Sequence, residues 1–498
     1  MHHMRKSGIL MHPTAIPGPG GIGSLGKEAR DFIDFLHSSN QTLWQVLPLG
    51  PTGYSNSPYS CYSAFAGNPL LINLSLIVDE GDLHHRELAE NFPPDRIDYE
   101  GVAEHKFALL RLAYGRFIAS EDQGRKQEFW NFCDSSFWLH DFALFMACKE
   151  HFRGKVWSQW PSELQRRNVD SCCRYSEKLG TLIGEQKYMQ WQFFRQWHSL
   201  KAYANDHGIS VFGDMPIFVA YDSADVWCNQ HFFQLDLQGK PHVVAGVPPD
   251  YFSKTGQRWG NPLYDWARMA EDNYNWWVSR LRGDLGLYDL VRIDHFRGFE
   301  AYWEIPAREK TAVKGQWVKG PGESFFRSVN NALGRLPLIA EDLGVITPEV
   351  ESLRDLFGLP GMKILQFAFD SGADNPYLPH NYTTQSVVYT GTHDNDTTSG
   401  WFSKLPPKQQ QRVCAYLRCN PEDIAWEMIR AALSSVSQYA ILPMQDILGL
   451  DTAARMNVPG VSGGNWSWRA SCDAFNCGLS QRLGEMSRTY NRAGVVQC

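Results

Sequence analysis

Residues 287–297 read Leu-Tyr-Asp-Leu-Val-Arg-Ile-Asp-His-Phe-Arg, and this stretch decides the fold. Its first half alternates apolar residues as a buried strand does, and its C-terminal end carries Arg292, Asp294 and His295. Arg292 and Asp294 are two residues apart, so their side chains leave a strand on the same face. A carboxylate beside a fixed cation keeps a low pKa and stays ionised, as a covalent nucleophile must. Taken alone, however, the stretch favours a structural Arg–Asp pair that caps a strand.

Seven further segments have the apolar pattern of buried strands. They are residues 8–12, 42–50, 209–218, 336–344, 362–370, 386–394 and 439–448. Helix-like stretches separate most of them, and strand–helix alternation predicts a parallel sheet. Eight such units predict an α/β fold of the closed (β/α)8 TIM-barrel type, and an open doubly wound sheet is the alternative.

The chain has 498 residues, whereas such a barrel needs roughly 250, so large insertions are expected. The longest, residues 51–208, lies between the second and third strands; it begins as a polar loop and becomes mainly helical, with aromatic faces that indicate packing. Residues 238–266 form a second insertion, a long loop. We therefore predict one barrel over residues 1–498 with these two insertions.

The composition argues against several classes of partner. The net charge is -7 and no block of basic residues occurs, which disfavours nucleic acids and anionic membranes. No apolar run reaches transmembrane length, and the N-terminus lacks the apolar stretch of a secretory signal. The 11 cysteines are scattered and odd in number, as expected of reduced thiols in a cytoplasmic protein.

Acidic residues stand at the C-terminal ends of five predicted strands. They are Asp214, Asp294, Glu341, Asp370 and Asp394. A closed barrel brings these ends together at one mouth, where barrel enzymes keep their chemistry, whereas an open sheet would spread them along an edge. The acids therefore favour the barrel.

Two chemistries suit a mouth lined with carboxylates: divalent-metal chemistry and glycosidic-bond chemistry. Metal binding predicts a close set of ligands, and the one dense candidate, His-Asp-Asn-Asp at 393–396, places neighbours on opposite faces of a strand. Glycosidic chemistry needs acids in different environments. Asp294 has Arg292 beside it, while Glu341 follows Leu-Ile-Ala, which would raise its pKa from about 4.3 toward neutrality, as would the charge of Asp342.

Several motifs resemble those of a known family. Gly213-Asp-Met-Pro, Val291-Arg-Ile-Asp-His-Phe-Arg, Ile339-Ala-Glu-Asp-Leu-Gly and Gly391-Thr-His-Asp-Asn-Asp resemble the four conserved regions of the α-amylase clan. Ser55-Asn-Ser-Pro-Tyr59, residues 247–262 and Gly463-Gly-Asn-Trp-Ser-Trp468 resemble one branch, glycoside hydrolase family 77, the 4-α-glucanotransferases or amylomaltases. Met-Pro-Ile-Phe follows Asp214 where the clan has an Asn-His pair. The absent His is typical of the glucanotransferase branch and counts against an ordinary amylase.

The resemblance, which covers essentially the whole chain, implies residue roles. It assigns Asp294 as nucleophile, Glu341 as general acid/base and Asp394 as the acid that stabilises the transition state. Supporting roles fall to Arg292, which orients Asp294, to His295 and His393, which would bind sugar hydroxyls, and to Asp214 in the same subsite. By the same resemblance the donor and acceptor subsites include Tyr59, Asp250, Trp259, Asp370 and Asn465, and Tyr251 and Phe252 belong to a lid within 238–266. For these secondary residues a structural role is an open alternative, such as a core position for Trp259 or a strand-end cap for Asp370.

The resemblance implies transfer of an α-1,4-glucan segment to the 4-hydroxyl of another glucan or glucose, with retention and without metal or cofactor. Its partners would be maltooligosaccharides and fragments of glycogen or starch, with no nucleic acid and no membrane, and the chain would be a monomer or homodimer. Three rival functions stay open: a hydrolytic α-amylase, a non-catalytic glucan-binding protein and a metal-dependent barrel enzyme.

Overall fold

The computed structural model describes residues 5–53, 55–89, 91–249, 253–461 and 463–494. Twelve strands lie in this part of the chain, and they are numbered here in chain order. They are β1 (Lys6–Leu10), β2 (Leu43–Gln45), β3 (Ser210–Pro216), β4 (Val243–Val247), β5 (Gln257–Pro262), β6 (Leu290–Asp294), β7 (Ala301–Pro306), β8 (Gln316–Lys319), β9 (Leu338–Ala340), β10 (Gly361–Ile364), β11 (Ser386–Tyr389) and β12 (Tyr439–Pro443). Each of the eight strands expected from the sequence is among them.

Those eight strands form one parallel sheet in the order β10-β11-β12-β1-β2-β3-β6-β9. The two edge strands, β9 and β10, meet and bring the sheet to near closure. The Ala340 N–H donates to the Pro360 carbonyl at 2.9 Å, and the Met362 N–H donates to the Asp342 carboxylate at 2.7 Å. The predicted (β/α)8 barrel is confirmed, and the open doubly wound sheet is excluded.

Five of the predicted strands run four to six residues too far toward the C-terminus, namely 42–50, 336–344, 362–370, 386–394 and 439–448. The chain leaves the sheet after Ala340, Ile364 and Tyr389, so Glu341, Asp370 and Asp394 lie on the loops that follow. Side chains beyond Ile364 remain buried although the backbone turns into a 3-10 helix at Leu365–Phe367. An apolar run reports burial and does not distinguish a strand from a buried turn.

Eighteen α-helices surround the barrel in the described part of the chain. They are α1 (Lys27–Ser38), α2 (Leu74–Asp79), α3 (Tyr99–Ala119), α4 (Gln123–Ser135), α5 (Leu139–His151), α6 (Ser162–Gln165), α7 (Val169–Lys178), α8 (Gly180–Asp206), α9 (Ala224–Cys228), α10 (Trp266–Glu271), α11 (Asn275–Leu287), α12 (Gly322–Leu333), α13 (Pro348–Leu356), α14 (Thr398–Lys404), α15 (Pro407–Leu417), α16 (Ile424–Ser434), α17 (Met444–Ile447) and α18 (Cys477–Thr489). None of these described helices combines the length and the hydrophobicity that crossing a bilayer requires.

The insertion between β2 and β3 contains α2–α8, in agreement with the helical pattern of its sequence. Side-chain caps start several of its helices, for example Asp98, whose carboxylate accepts the Gly101 N–H at the start of α3. Helix α8 joins the insertion to the barrel, because Trp197 is buried and its indole N–H donates to the Leu287 carbonyl at 3.0 Å. The aromatic residues of α8 therefore serve largely in packing.

A second, antiparallel sheet has the order β5-β4-β7-β8. Strands β4 and β5 fall within residues 238–266, which the sequence led us to expect as loop. They pair with each other, and β4 also pairs with β7, which is remote in sequence; Gly246 and Pro248 hide the strand pattern. Because β4 and β5 follow β3, and β7 and β8 follow β6, this sheet stands at the mouth of the barrel.

Candidate active site

One guanidinium organises the mouth. Asp214 on β3 lies directly opposite Arg292 on β6, and the Arg292 Nε donates to the Asp214 Oδ1 at 2.9 Å. The Arg292 Nη2 donates to the Asp294 Oδ1 at 2.6 Å, and the Tyr59 hydroxyl donates to the Asp214 Oδ2 at 2.6 Å. The side chain of Asp214 is 0% exposed whereas that of Asp294 is 32% exposed. Of the two acids in this network, Asp294 is therefore the one that a ligand can reach.

The pKa of Asp294 departs from the sequence-based expectation. Burial raises it, the Arg292 guanidinium opposes the rise, and the neighbouring carboxylates of Asp214, Glu341 and Asp394 add to it. The prediction of a low pKa was wrong because it considered Arg292 and neither the burial of Asp294, which is the largest cause, nor the other acids that the barrel gathers. Burial lowers the pKa of Arg292 itself, but the surrounding acids raise it well above its usual value, so the guanidinium stays charged.

Main-chain donors hold Glu341. The His295 N–H donates to its Oε2 at 2.7 Å and the Leu343 N–H donates to its Oε1 at 3.0 Å. His295 has a φ of 54°, in the left-handed region that non-glycine residues rarely adopt. Burial raises the pKa of Glu341 to about 7, against the opposing effects of Arg292 and the two N–H groups. This is the direction that its apolar lead-in suggested.

Asp342, next to Glu341, makes hydrogen bonds that stabilise the fold. Its Oδ2 accepts from Arg354 at 2.5 Å, and its Oδ1 accepts the Met362 N–H that helps to close the barrel. The charge of Asp342 also raises the pKa of Glu341, but burial is the larger cause of that rise.

Asp394 lies at the rim of the mouth with its side chain 48% exposed. The Asn457 Nδ2 donates to its Oδ1 at 2.6 Å, and the Arg455 guanidinium donates to its main-chain carbonyl at 2.5 Å. The preceding residue, His393, is buried and stacks on the Tyr59 ring with 5.0 Å between centroids. Burial lowers the pKa of His393, so its imidazole is neutral at pH 7.

The side chains of residues 393–396 diverge instead of converging on a common point. The Asn395 Oδ1 accepts from the N–H and hydroxyl of Thr392, and the Asp396 Oδ2 accepts from Lys404 at 2.5 Å and Thr452 at 2.9 Å. Across the described residues, no group of three or more His, Cys, Asp or Glu side chains is arranged to hold a metal ion.

Trp259 and His295 form one wall of the mouth. Their rings meet edge to face with 4.8 Å between centroids, and Trp259 is 40% exposed, so it is not a core residue. Burial lowers the pKa of His295 to about 3, which keeps the ring neutral. Its buried Nε2 has no hydrogen-bond partner among the described residues.

The remaining predicted residues lie farther from this centre or outside the described chain. Asp370 is exposed and its Oδ1 accepts from the Asn375 amide at 2.9 Å. Burial and the charges of Asp342, Glu341 and Asp370 raise the pKa of Tyr377 to about 12. The Asn465 side chain bonds to the main chain of Val458 and Val461, so it shapes its own loop. Asp250, Tyr251 and Phe252 lie outside the described residues.

Comparisons with known proteins assign the chain to a family. A family model described as 4-alpha-glucanotransferase matches residues 11–474. The chain belongs to this family. The 4-alpha-glucanotransferases of Synechocystis sp. and Thermus thermophilus are each 50% identical to it, over 98% of this chain and 98% and 99% of theirs. The amylomaltase from Streptococcus agalactiae in complex with acarbose matches with a TM-score of 0.96 and 40% identity, over 98% of this chain and 100% of that one.

The family resemblance that the motifs indicated is thus confirmed, and the protein is an enzyme of the 4-alpha-glucanotransferase type. Sequence reasoning missed Asn457 and Arg455, the partners of Asp394, because they lie about 60 residues away in a segment without a recognisable pattern. It also passed over Trp466, which is buried with its ring 5.8 Å from that of His393. Trp466 lies inside the Gly-Gly-Asn-Trp-Ser-Trp motif, so a signal for it existed.

Proposed function

We propose that this 4-alpha-glucanotransferase moves α-1,4-glucan segments by a retaining double displacement on Asp294. The observation that carries the proposal is the pairing of two unlike acids. Asp294 is open to the mouth and bonded to Arg292, while Glu341 is fixed by the N–H of the very next residue, His295. Because Asp294 and the residue whose N–H binds Glu341 are neighbours in the chain, the two carboxyl groups suit the roughly 5–5.5 Å spacing that a retaining pair requires. The acarbose complex of the Streptococcus agalactiae amylomaltase supports an oligosaccharide ligand.

In the first step Glu341 gives its proton to the glycosidic oxygen while the Asp294 carboxylate attacks the anomeric carbon. Its pKa of about 7 lets Glu341 carry that proton near neutral pH. The bond between the anomeric carbon and the glycosidic oxygen breaks, and the reducing-end fragment leaves with a free 4-hydroxyl. Asp394, oriented by Asn457, faces the positive charge that develops on the sugar ring.

In the second step the ester to Asp294 is broken. The Glu341 carboxylate takes the proton of an incoming 4-hydroxyl, whose oxygen attacks the anomeric carbon and displaces Asp294. Two inversions restore the α configuration, and the proton returns to Glu341. The bond broken and the bond formed are of the same type, so the cycle consumes no oxidant, reductant or energy-rich co-substrate, and we propose that it uses neither a cofactor nor a metal.

Around these acids, other side chains would bind the sugar rings. His295 would bond to a sugar hydroxyl, and the exposed face of Trp259 offers a stacking surface. Tyr59, Asp214 and His393 would line the same subsite, and we assign further subsites to Asp250, Asp370 and Asn465. Transfer in preference to hydrolysis requires that water be kept from the ester, a role we give to Tyr251 and Phe252.

The protein's setting is part of the proposal. We expect donors and acceptors to be maltooligosaccharides and fragments of glycogen or starch, and the enzyme to act in the cytoplasm as a monomer or homodimer. The ten cysteines in the described part of the chain are all free thiols, which supports a reducing compartment. We also keep the division into one barrel, the insertion at 51–208 and the lid region at 238–266.

The decisive experiment incubates the enzyme with maltotriose alone, with and without EDTA, and separates the products by size. Glucose together with a ladder of longer oligosaccharides in both samples would establish transfer without a dissociable metal. Glucose and maltose alone would make the enzyme a hydrolase, and loss of activity in EDTA would favour metal chemistry. Asp294→Ala is the matched control: it should abolish transfer and retain binding of glucan, and an active D294A variant would overturn the nucleophile assignment.

A further inference from the structure

A buried acid outside the proposed chemistry, Asp446, joins the two ends of the loop that carries Asp394. It lies in α17, directly after β12, and is 1% exposed. Its Oδ2 accepts from the hydroxyls of Thr390 at 2.5 Å and Thr398 at 2.7 Å. Its Oδ1 accepts the Thr398 N–H at 2.7 Å.

The two threonines mark where the chain leaves β11 and enters α14. Both are fully buried, and residues 391–397 between them form the loop with His393 and Asp394. Strand β12 is the hydrogen-bonded neighbour of β11, so Asp446 ties both loop ends to the adjacent strand of the barrel. Contacts further inside the loop, such as the bond from Gln366 to the Asp396 carbonyl at 2.8 Å, act on single points of it.

We infer that Asp446 is a positioning residue for catalysis, which fixes Asp394 in the mouth by holding Thr390 and Thr398 together. This inference rests on the role proposed above for Asp394. Asp394 is half exposed and its side chain meets the protein chiefly through Asn457 and His393, so its position depends on where the loop is anchored. A displacement of about 1 Å in a catalytic group can cost on the order of 100-fold in rate.

The first test is Asp446→Ala, which leaves two hydroxyls and one N–H without their acceptor. We expect kcat for maltotriose disproportionation to fall about 100-fold, with KM changing less than about threefold. Asp446→Asn should stay within about fivefold of wild type, because its Oδ1 still accepts the Thr398 N–H and its amide can donate to the threonine hydroxyls. Thr398→Val, which removes one hydroxyl, should have a kcat between those of D446A and D446N. It tests the inference if D446A fails to fold.

Asp82→Ala is the matched control. Asp82 is another buried acid with several donors, Arg125 and Tyr188, but it lies in the helical insertion. D82A should lower the thermal midpoint about as much as D446A and leave kcat within about twofold of wild type. If D82A lowers kcat as much as D446A does, loss of stability explains both and the inference fails.

A double-mutant cycle identifies the residue through which Asp446 acts. Rates are measured with α-maltotriosyl fluoride as donor, whose good leaving group keeps slow variants measurable. In an Asp394→Asn background, D446A should lower the rate by less than a further factor of about three, because the carboxylate that Asp446 positions is already gone. Additive effects, or a D446A enzyme with normal kcat, would overturn the inference. Inactivity of the wild type on maltotriose would instead overturn the proposed function.

Discussion

Arg292→Lys is the substitution that tests the electrostatics of the mouth most directly. The guanidinium reaches Asp214 through Nε and Asp294 through Nη2, and it lies 3.4 Å from the Tyr59 hydroxyl. A lysine offers a single compact ammonium in place of this fork. Because Asp214 is completely enclosed, the ammonium should stay with it and leave Asp294 without its cation.

The size of the effect follows from the lost ion pair. An opposite charge in contact lowers the pKa of a carboxyl by roughly 1–3 units, and each unit corresponds to 1.36 kcal/mol. Burial already raises the pKa of Asp294, so losing Arg292 should raise it further by that amount. Since only ionised Asp294 attacks, the rate below this pKa should fall roughly 10- to 1,000-fold and should recover as the pH increases.

The assay measures fluoride release from α-maltotriosyl fluoride between pH 5 and pH 9 with glucose as acceptor. Fluoride departs without the proton of Glu341, and kcat/KM for the donor covers only the steps up to this departure, so the acidic limb of the kcat/KM profile reports Asp294. Arg297→Lys is the control, because Arg297 is also buried but stacks on Trp317, 3.7 Å from the ring centroid. The acidic limb of the R297K profile should match that of the wild type. An R292K enzyme that is folded and keeps the wild-type limb would refute the reasoning.

Three further outcomes are expected. Glu341→Gln should lower maltotriose turnover at least 100-fold and spare the first step on the fluoride donor. The wild-type kcat/KM for maltotriose should fall as the pH rises through about 7, where Glu341 loses its proton. An unaltered alkaline limb in E341Q would contradict this assignment. Asn457→Ala removes the 2.6 Å bond to Asp394 and should cost about tenfold in kcat with little change in thermal midpoint; normal turnover would remove Asn457 from the site. Replacing Tyr251 and Phe252 together by Ala should raise the share of hydrolysis in the product mixture, and an unchanged share would reject the lid.

Much of the fold was predictable because strand–helix alternation leaves a strong hydrophobic pattern. The acids could be placed at one mouth for the same reason, since parallel strands share a direction. The rest depended on tertiary partners. The pKa of Asp294 is raised chiefly by burial and further by acids from three other chain segments, and Asn457 approaches Asp394 from a segment with no pattern of its own. Strands β4 and β5 pair with each other and β4 also pairs with β7, a partner that residues 238–266 alone do not reveal.

The main-chain bond from His295 to Glu341 constrains how this enzyme can be evolved or redesigned. A peptide N–H survives almost every point mutation, so the orientation of the acid is insulated from side-chain changes at 295 and at 343. Because His295 has a left-handed φ of 54°, the least strained replacements at this position are Asn and Gly. Laboratory selection for a different pH optimum should therefore succeed through the apolar surroundings of Glu341 more readily than through new polar side chains at 295 and 343.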